Sequence, residues 1–158
     1  MNKNRPEPRW VESFEVVGIQ ATTSNRNEQS QDSAKIPKLW QDFHHRLAAV
    51  STRSSSLTSN CYGVYSHYKT DVNGEYTLTA GIEAQGNVDQ HFPERLHVES
   101  GQYLVFTAQG PLPQALIDVW SDIWAYFENQ PPYQRRYASD FEHYVNSDRV
   151  EIYIGIIA

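Results

Sequence analysis

Apolar residues in the first half of the chain follow two spacings, one typical of strands and one typical of helices. A β-branched run over 14–22 predicts a strand, and two further strand-like runs cover 62–69 and 75–84. Asn-Gly at positions 73 and 74 indicates a hairpin turn between the latter two. The helical stripe between these strands consists of Ile36, Leu39, Trp40, Phe43 and Leu47.

The second half repeats this order. A strand over 102–109 precedes a helix, and strand-like runs over 140–145 and 150–158 follow it. The second helical stripe consists of Leu116, Val119, Trp120, Ile123, Trp124 and Phe127. Residues 1–10 and 85–100 are polar and are interpreted as a lead-in and a connector. The order strand–helix–strand–strand therefore occurs twice.

This repetition predicts a single α+β domain over 1–158, with repeat one at about 14–86 and repeat two at about 101–158. A unit that buries one face of a hairpin and a helix needs a partner, which the second copy supplies. We expect one curved antiparallel sheet with both helices on one face. The other face would be concave, partly open, and the site of a ligand groove. Gly18, Gly81 and Gly155 within strands favour this curvature.

Composition narrows the class of protein. The 158 residues are 39% hydrophobic and 20% charged, as in ordinary globular domains. The net charge is −6 and the 13 Lys and Arg residues are scattered, which argues against direct DNA binding. The longest apolar run, 152–158, is too short to cross a membrane, and no secretory signal begins the chain. A single cysteine, Cys61, permits no internal disulfide, so we expect a cytoplasmic protein. We expect either a monomer or a homodimer.

Motifs for the common catalytic chemistries are absent from the sequence. His44 and His45 are adjacent, so on a helix they point about 100° apart and do not clamp one ion. No HExxH, CxxC, GxSxG or GxGxxG pattern occurs. The sequence therefore predicts no metal, no cofactor and no assigned catalytic residue.

The candidate chemistry lies at Glu142. This carboxylate occupies a predicted central strand, and the chain carries 10 Tyr, 6 Phe and 4 Trp from which a pocket can be built. With Tyr153 on the open face, Glu142 would suit a flat, apolar, cationic ligand; the alternative is a solvated or salt-bridged strand residue. Tyr65 and Tyr68 have opposite parity, and parity alone does not decide which faces the groove. The predicted binding set is Glu142, Tyr153, Tyr65, Trp124, Tyr68 and Phe106.

Several segments of the sequence, taken together with their order and spacing, resemble the GyrI-like superfamily, which is also met as the effector-binding domain of bacterial transcription activators. The resemblance covers about 14–157. It is carried by Val16-Val17-Gly18-Ile19, Ile36-Pro37-Lys38-Leu39-Trp40, Tyr62-Gly63-Val64-Tyr65, Gly101-Gln102-Tyr103-Leu104-Val105-Phe106, Asp140-Phe141-Glu142-His143-Tyr144 and Ile152-Tyr153-Ile154-Gly155-Ile156. It implies the duplicated fold, a groove for lipophilic and often cationic compounds, an acidic ligand contact at Glu142 and an aromatic one at Tyr153.

The resemblance leaves three functions open. Only about a dozen residues precede the first strand, so the DNA-binding helix-turn-helix of many relatives is not expected. The leading hypothesis is a stand-alone module that senses or sequesters a small drug-like molecule. The alternatives are a hydrolase of reactive electrophiles, with Glu142 as general base, and an inhibitor that binds a partner protein such as a topoisomerase.

Overall fold

The computed structural model describes residues 6–30, 32–51, 61–70, 74–84, 91–129, 131–146 and 148–157. The predicted turn at 73–74 lies partly outside these residues. The elements in chain order are β1 (Glu7–Val11), β2 (Phe14–Ser24), α1 (Asn25–Glu28), α2 (Ile36–Ser51), β3 (Cys61–Ser66), β4 (Glu75–Glu83), β5 (Glu94–Val98), β6 (Gly101–Gln109), α3 (Gln114–Glu128), β7 (Arg135–Asn146) and β8 (Arg149–Ile156).

The sheet is built from two equivalent halves. Its strand order is β1-β6-β8-β7-β3-β4-β2-β5, and all neighbouring pairs are antiparallel. The units β2-α2-β3-β4 and β6-α3-β7-β8 are therefore arranged about the central β3–β7 pair. The predicted α+β fold with a duplicated strand–helix–strand–strand unit is confirmed.

Three short elements, β1, β5 and α1, were not predicted from the sequence. The edge strand β1 pairs with β6, and β5 pairs with β2 at the other edge. The lead-in and connector interpretations were wrong there, because charged residues are tolerated on edge strands and hide the apolar alternation. The third element, α1, is a single turn whose N-terminus is capped by the Ser24 side chain.

The sheet curls so far that its two edges are joined by very short links. Two residues, Glu12 and Ser13, connect β1 to β2, although these strands lie near opposite ends of the strand order. Glu99 and Ser100 connect β5 to β6 in the same way. A gap of two residues spans about 10 Å at most. The inner face is consequently filled by a core of Val16, Val64, Val98, Tyr103, Phe141 and Tyr153.

The two long helices, α2 and α3, pack on the same outer face of the sheet, as predicted for the helices of the two repeats. Leu39 and Phe43 of α2 are buried on the half that contains β2 and β4. Val119 and Ile123 of α3 are buried on the half that contains β6 and β8. Between the helices, a cleft lies over the central strands β3 and β7. The expectation of a groove on the face opposite the helices was wrong, because the curled sheet buries that face.

No helix of the described residues is long and apolar enough to span a membrane.

Candidate ligand-binding site

A cavity of about 560 Å³ occupies the cleft between the two helices. This volume is in the range of pockets for small organic ligands. Its wall is mainly aromatic and aliphatic, with a few polar groups from α1, β7 and the β3–β4 region. The lining residues are Asn25, Glu28, Gln29, Ile36, Pro37, Tyr65, Tyr68, Tyr76, Pro113, Leu116, Ile117, Trp120, Trp124, Arg135 and Glu142.

Glu142 lies at the sheet end of this cavity and is 2% exposed. Its Oε2 accepts hydrogen bonds from the hydroxyl of Tyr65 at 2.9 Å and from Nε1 of Trp120 at 2.7 Å. Its Oε1 accepts one from the hydroxyl of Tyr144 at 2.8 Å. Within the described part of the chain, no Lys, Arg or His forms an ion pair with this carboxylate. Glu142 is thus hydrogen-bonded but has no cationic partner there.

Gly63 makes room for the Glu142 carboxylate. It lies directly opposite Glu142 in the β3–β7 pair. A Cβ at this position would lie 2.9 Å from Oε1 of Glu142 and 3.0 Å from Cζ2 of Trp40, closer than side chains normally pack. The absence of a side chain at 63 therefore lets the carboxylate lie flat against the central strands.

Burial dominates the electrostatics of the site. Removal from water raises the pKa of Glu142, although the hydrogen bonds from Trp120, Tyr144 and Tyr65 act in the opposite direction. Burial, together with the neighbouring carboxylate, raises the pKa of Tyr65 and Tyr144 well above the usual tyrosine range. These tyrosines consequently remain protonated donors at neutral pH.

A second buried carboxylate, Asp140, lies two residues earlier on the same face of β7. It is 0% exposed. Its Oδ2 accepts hydrogen bonds from Nη2 of Arg135 at 2.6 Å and from the hydroxyl of Tyr68. Its Oδ1 accepts the backbone N–H of Gly155 at 2.8 Å. Asp140 thus has its counter-charge in Arg135, whereas Glu142 has none among the described residues.

The mouth of the cavity is shaped by α1 and the exposed side of α3. The Glu28 carboxylate caps the start of α2 by accepting the backbone N–H groups of Lys35 at 2.9 Å and Ile36 at 3.2 Å. Across the opening, Ile117 is 53% exposed and Trp124 is 37% exposed. The opening thus has an acidic side and an apolar side.

Four residues of the predicted binding set line the cavity: Glu142, Tyr65, Tyr68 and Trp124. Tyr65 and Tyr68 both face it, despite their opposite parity in the sequence. The chain leaves β3 after Ser66, and His67 adopts a left-handed conformation with φ 53°, which ends the alternation. Whether these four residues contact a ligand remains a prediction.

Tyr153 and Phe106 lie away from the cavity. Tyr153 is on the inner face, where its ring stacks on Phe141 at 4.5 Å. Phe106 is on the outer face but is buried beneath α3, beside Tyr126. The prediction that Tyr153 shares a face with Glu142 was wrong, because Glu142 lies opposite Ile152, whose side chain packs under α3.

Trp120 and Arg135 were missed by the sequence analysis. Trp120 belongs to the predicted apolar stripe of its helix, yet its indole N–H is the closest donor to Glu142. The available signal was chemical, since a buried tryptophan needs an acceptor for this N–H. No spacing rule pointed to Arg135. Among the described residues, no group of three His, Cys, Asp or Glu side chains could hold a metal ion.

Comparison with known proteins gives consistent matches over the whole fold. Residues 10–156 match the Cass2 family model, described as integron-associated effector binding protein. A structure of an integron cassette protein from Vibrio cholerae is 32% identical, covers 96% of this chain and 95% of its own, and superimposes with a TM-score of 0.83. YobU of Bacillus subtilis (strain 168) is 26% identical over 150 residues, which is 89% of this chain and 90% of that protein.

A more distant structure has a ligand. SAV2435, bound to tetraphenylphosphonium, superimposes with a TM-score of 0.74, covers 98% of this chain and 94% of its own, and is 19% identical. At this identity the likeness concerns the fold.

Proposed function

Because this chain belongs to the Cass2 family of integron-associated effector binding proteins, we propose that its cavity binds a lipophilic cation, with Glu142 as the counter-charge. Family membership gives the coarse function, which is the binding of a small-molecule effector. The finer assignment concerns the charge and polarity of that effector. The protein would sense or sequester such a compound rather than transform it.

The observation that carries this proposal is that the buried Glu142 carboxylate has no cationic partner among the residues that the structure describes. A carboxylate removed from water is costly unless it is paired, and here three neutral donors only partly compensate for the lost hydration. A cation that enters the cavity would supply the missing partner. The rings of Tyr65, Trp120 and Tyr76 would add apolar contact and cation–π attraction.

The ligand of SAV2435 supports the same chemical class. Tetraphenylphosphonium is bulky, aromatic and positively charged, and it has no hydrogen-bond donor. A ligand of this kind matches a mainly aromatic and aliphatic wall in which the carboxylate oxygens of Glu142 already accept three internal hydrogen bonds. The transfer of this ligand class to the present chain is part of the proposal.

The test compares tetraphenylphosphonium with tetraphenylborate, which has the same shape and the opposite charge. We expect calorimetry to detect binding of the phosphonium only, and we expect Glu142→Gln to weaken it by about 1–3 kcal/mol, or roughly 5- to 150-fold in Kd. Glutamine keeps the size of the side chain and removes its charge.

Glu151→Gln is the matched control, because Glu151 lies on the neighbouring strand but pairs with Tyr153 on the inner face. It removes the same charge from the protein without changing the cavity. Equal binding of both tetraphenyl ions, or equal losses in the two variants, would refute the role of Glu142.

A further inference from the structure

Arg135 is an incompletely bonded donor in the cavity wall. Its side chain is 5% exposed, yet the residue lines the cavity. Nη2 donates to Asp140, whereas Nε is buried without a hydrogen-bond partner among the described residues. Guanidinium groups carry five N–H donors, and a buried donor without an acceptor is costly. The described residues thus leave one N–H of this cavity-wall side chain without an acceptor.

An irregularity in β7 places Arg135 there. Arg135 pairs with Ile156 and Asp140 with Ile154, so five steps along β7 correspond to two steps along β8. Tyr137, within this bulge, has a φ of 56°, a conformation that non-glycine residues rarely adopt. The guanidinium lies 4.4 Å from the Tyr137 ring centroid and 5.9 Å from that of Tyr68. Bulges next to binding sites commonly re-aim a side chain in this way.

The local charges restrict which ligand groups Arg135 can bind as a hydrogen-bond donor. Asp140 neutralises the guanidinium, and Glu142 lies only two positions further along the same strand face. Two carboxylates thus oppose one guanidinium around this part of the cavity. A ligand carboxylate would meet a net negative field, whereas a neutral carbonyl oxygen can accept an N–H without that repulsion.

We propose that Arg135 forms a second subsite, which binds a neutral oxygen acceptor, such as an ester or amide carbonyl, on the cationic ligand. The inference rests on the proposed function and adds a specificity to it. The ligand then has two recognised ends: a positive centre near Glu142 and a carbonyl group at Arg135. Trp120 and Tyr68 line the wall of the same cavity.

The test uses three phosphonium probes of similar length: hexyltriphenylphosphonium, its (4-methoxycarbonyl)butyl counterpart and the corresponding free acid. Their Kd values are measured by calorimetry at neutral pH on the wild-type protein and on the double variant Arg135→Met/Asp140→Asn. This variant removes the guanidinium and its counter-charge together, so it creates no new unpaired buried charge. Arg149→Met/Glu151→Gln, which removes an ion pair outside the cavity, is the control.

We expect the affinity ratio of ester to hexyl compound to fall roughly tenfold in the Arg135 double variant and to stay unchanged in the control. We also expect the acid to bind the wild-type protein more weakly than the ester. An unchanged ratio, or an acid that binds more tightly than the ester, overturns the subsite while leaving the proposed function intact. Failure of all three phosphonium probes to bind overturns both.

The wild-type complex provides an independent measurement if the double variant does not fold. In a crystal structure with the ester probe, we expect the carbonyl oxygen within hydrogen-bonding distance of an Arg135 nitrogen. An ester group that points out of the cavity mouth would contradict the subsite.

Discussion

Glu142 and Asp140 are two buried carboxylates on one face of the same strand, and they are compensated in different ways. Asp140 is held by Arg135, Tyr68 and a backbone N–H, so its charge is balanced within the fold. Glu142 accepts hydrogen bonds from three neutral donors and has no cationic partner among the described residues. The first arrangement is typical of a structural ion pair. The second is typical of a site that can bind a charged ligand. Position and burial alone would not have separated the two arrangements.

Removal of Arg135 should have the largest effect on stability. Arg135→Met would leave Asp140 buried without its counter-charge, so we expect the free energy of unfolding to fall by about 3–5 kcal/mol. Denaturant titration measures this loss, and Arg135→Met/Asp140→Asn should recover most of it. If the single variant is as stable as the wild type, Asp140 is not balanced by Arg135.

The pH dependence of stability should distinguish Glu142 from a paired carboxylate. Its pKa is raised in the folded protein, so the folded state binds this proton more tightly than the unfolded state. Stability from Glu142 is therefore fully present below the unfolded pKa and is lost as pH rises through the folded pKa, by about 1.4 kcal/mol for each unit of difference.

Unfolding titrations of the ligand-free wild type and of Glu142→Gln between pH 4 and pH 8 test this sign. The wild type should lose stability relative to the variant as pH increases, and its affinity for tetraphenylphosphonium should increase over the same range. A difference that grows in the opposite direction would indicate that the Glu142 pKa is lowered.

A smaller effect is expected at Gly63, which gives the Glu142 carboxylate its space. Gly63→Ala should shift this carboxylate by a few tenths of an ångström, destabilise the protein by about 1 kcal/mol and weaken cation binding a few-fold. In the Glu142→Gln background, the effect of Gly63→Ala on binding should largely disappear. Additive losses in that double-mutant cycle would show that Gly63 acts elsewhere.

The sequence was sufficient for the order of elements within the two repeated units, but not for the edge strands or for the face on which the site lies. Leu39, Phe43, Val119 and Ile123 give clear helical stripes, and these residues are buried as predicted. In β7, however, Phe141 on one face and Glu142 on the other are both buried. When both faces of a strand are covered, alternation no longer identifies the solvent side. Polarity then misassigned Glu142 to an open face.

The position of Arg135 and the facing of Tyr68 were beyond the sequence for a different reason. Both owe their positions to local departures from regular strand geometry, the bulge in β7 and the left-handed residue His67. Such irregularities change the face of the sheet to which the following side chains of the same segment point. They have no dependable signature in a single sequence.

The exchange of edge strands between the two halves bears on how the chain folds during synthesis. β1 precedes the first half but completes the second, and β5 precedes the second half but completes the first. A nascent first half therefore carries an unpaired β2 edge until β5 has left the ribosome. The same holds for a truncated gene product that ends before residue 94. Such a fragment exposes a strand that can pair with another chain, so neither half is a self-sufficient module.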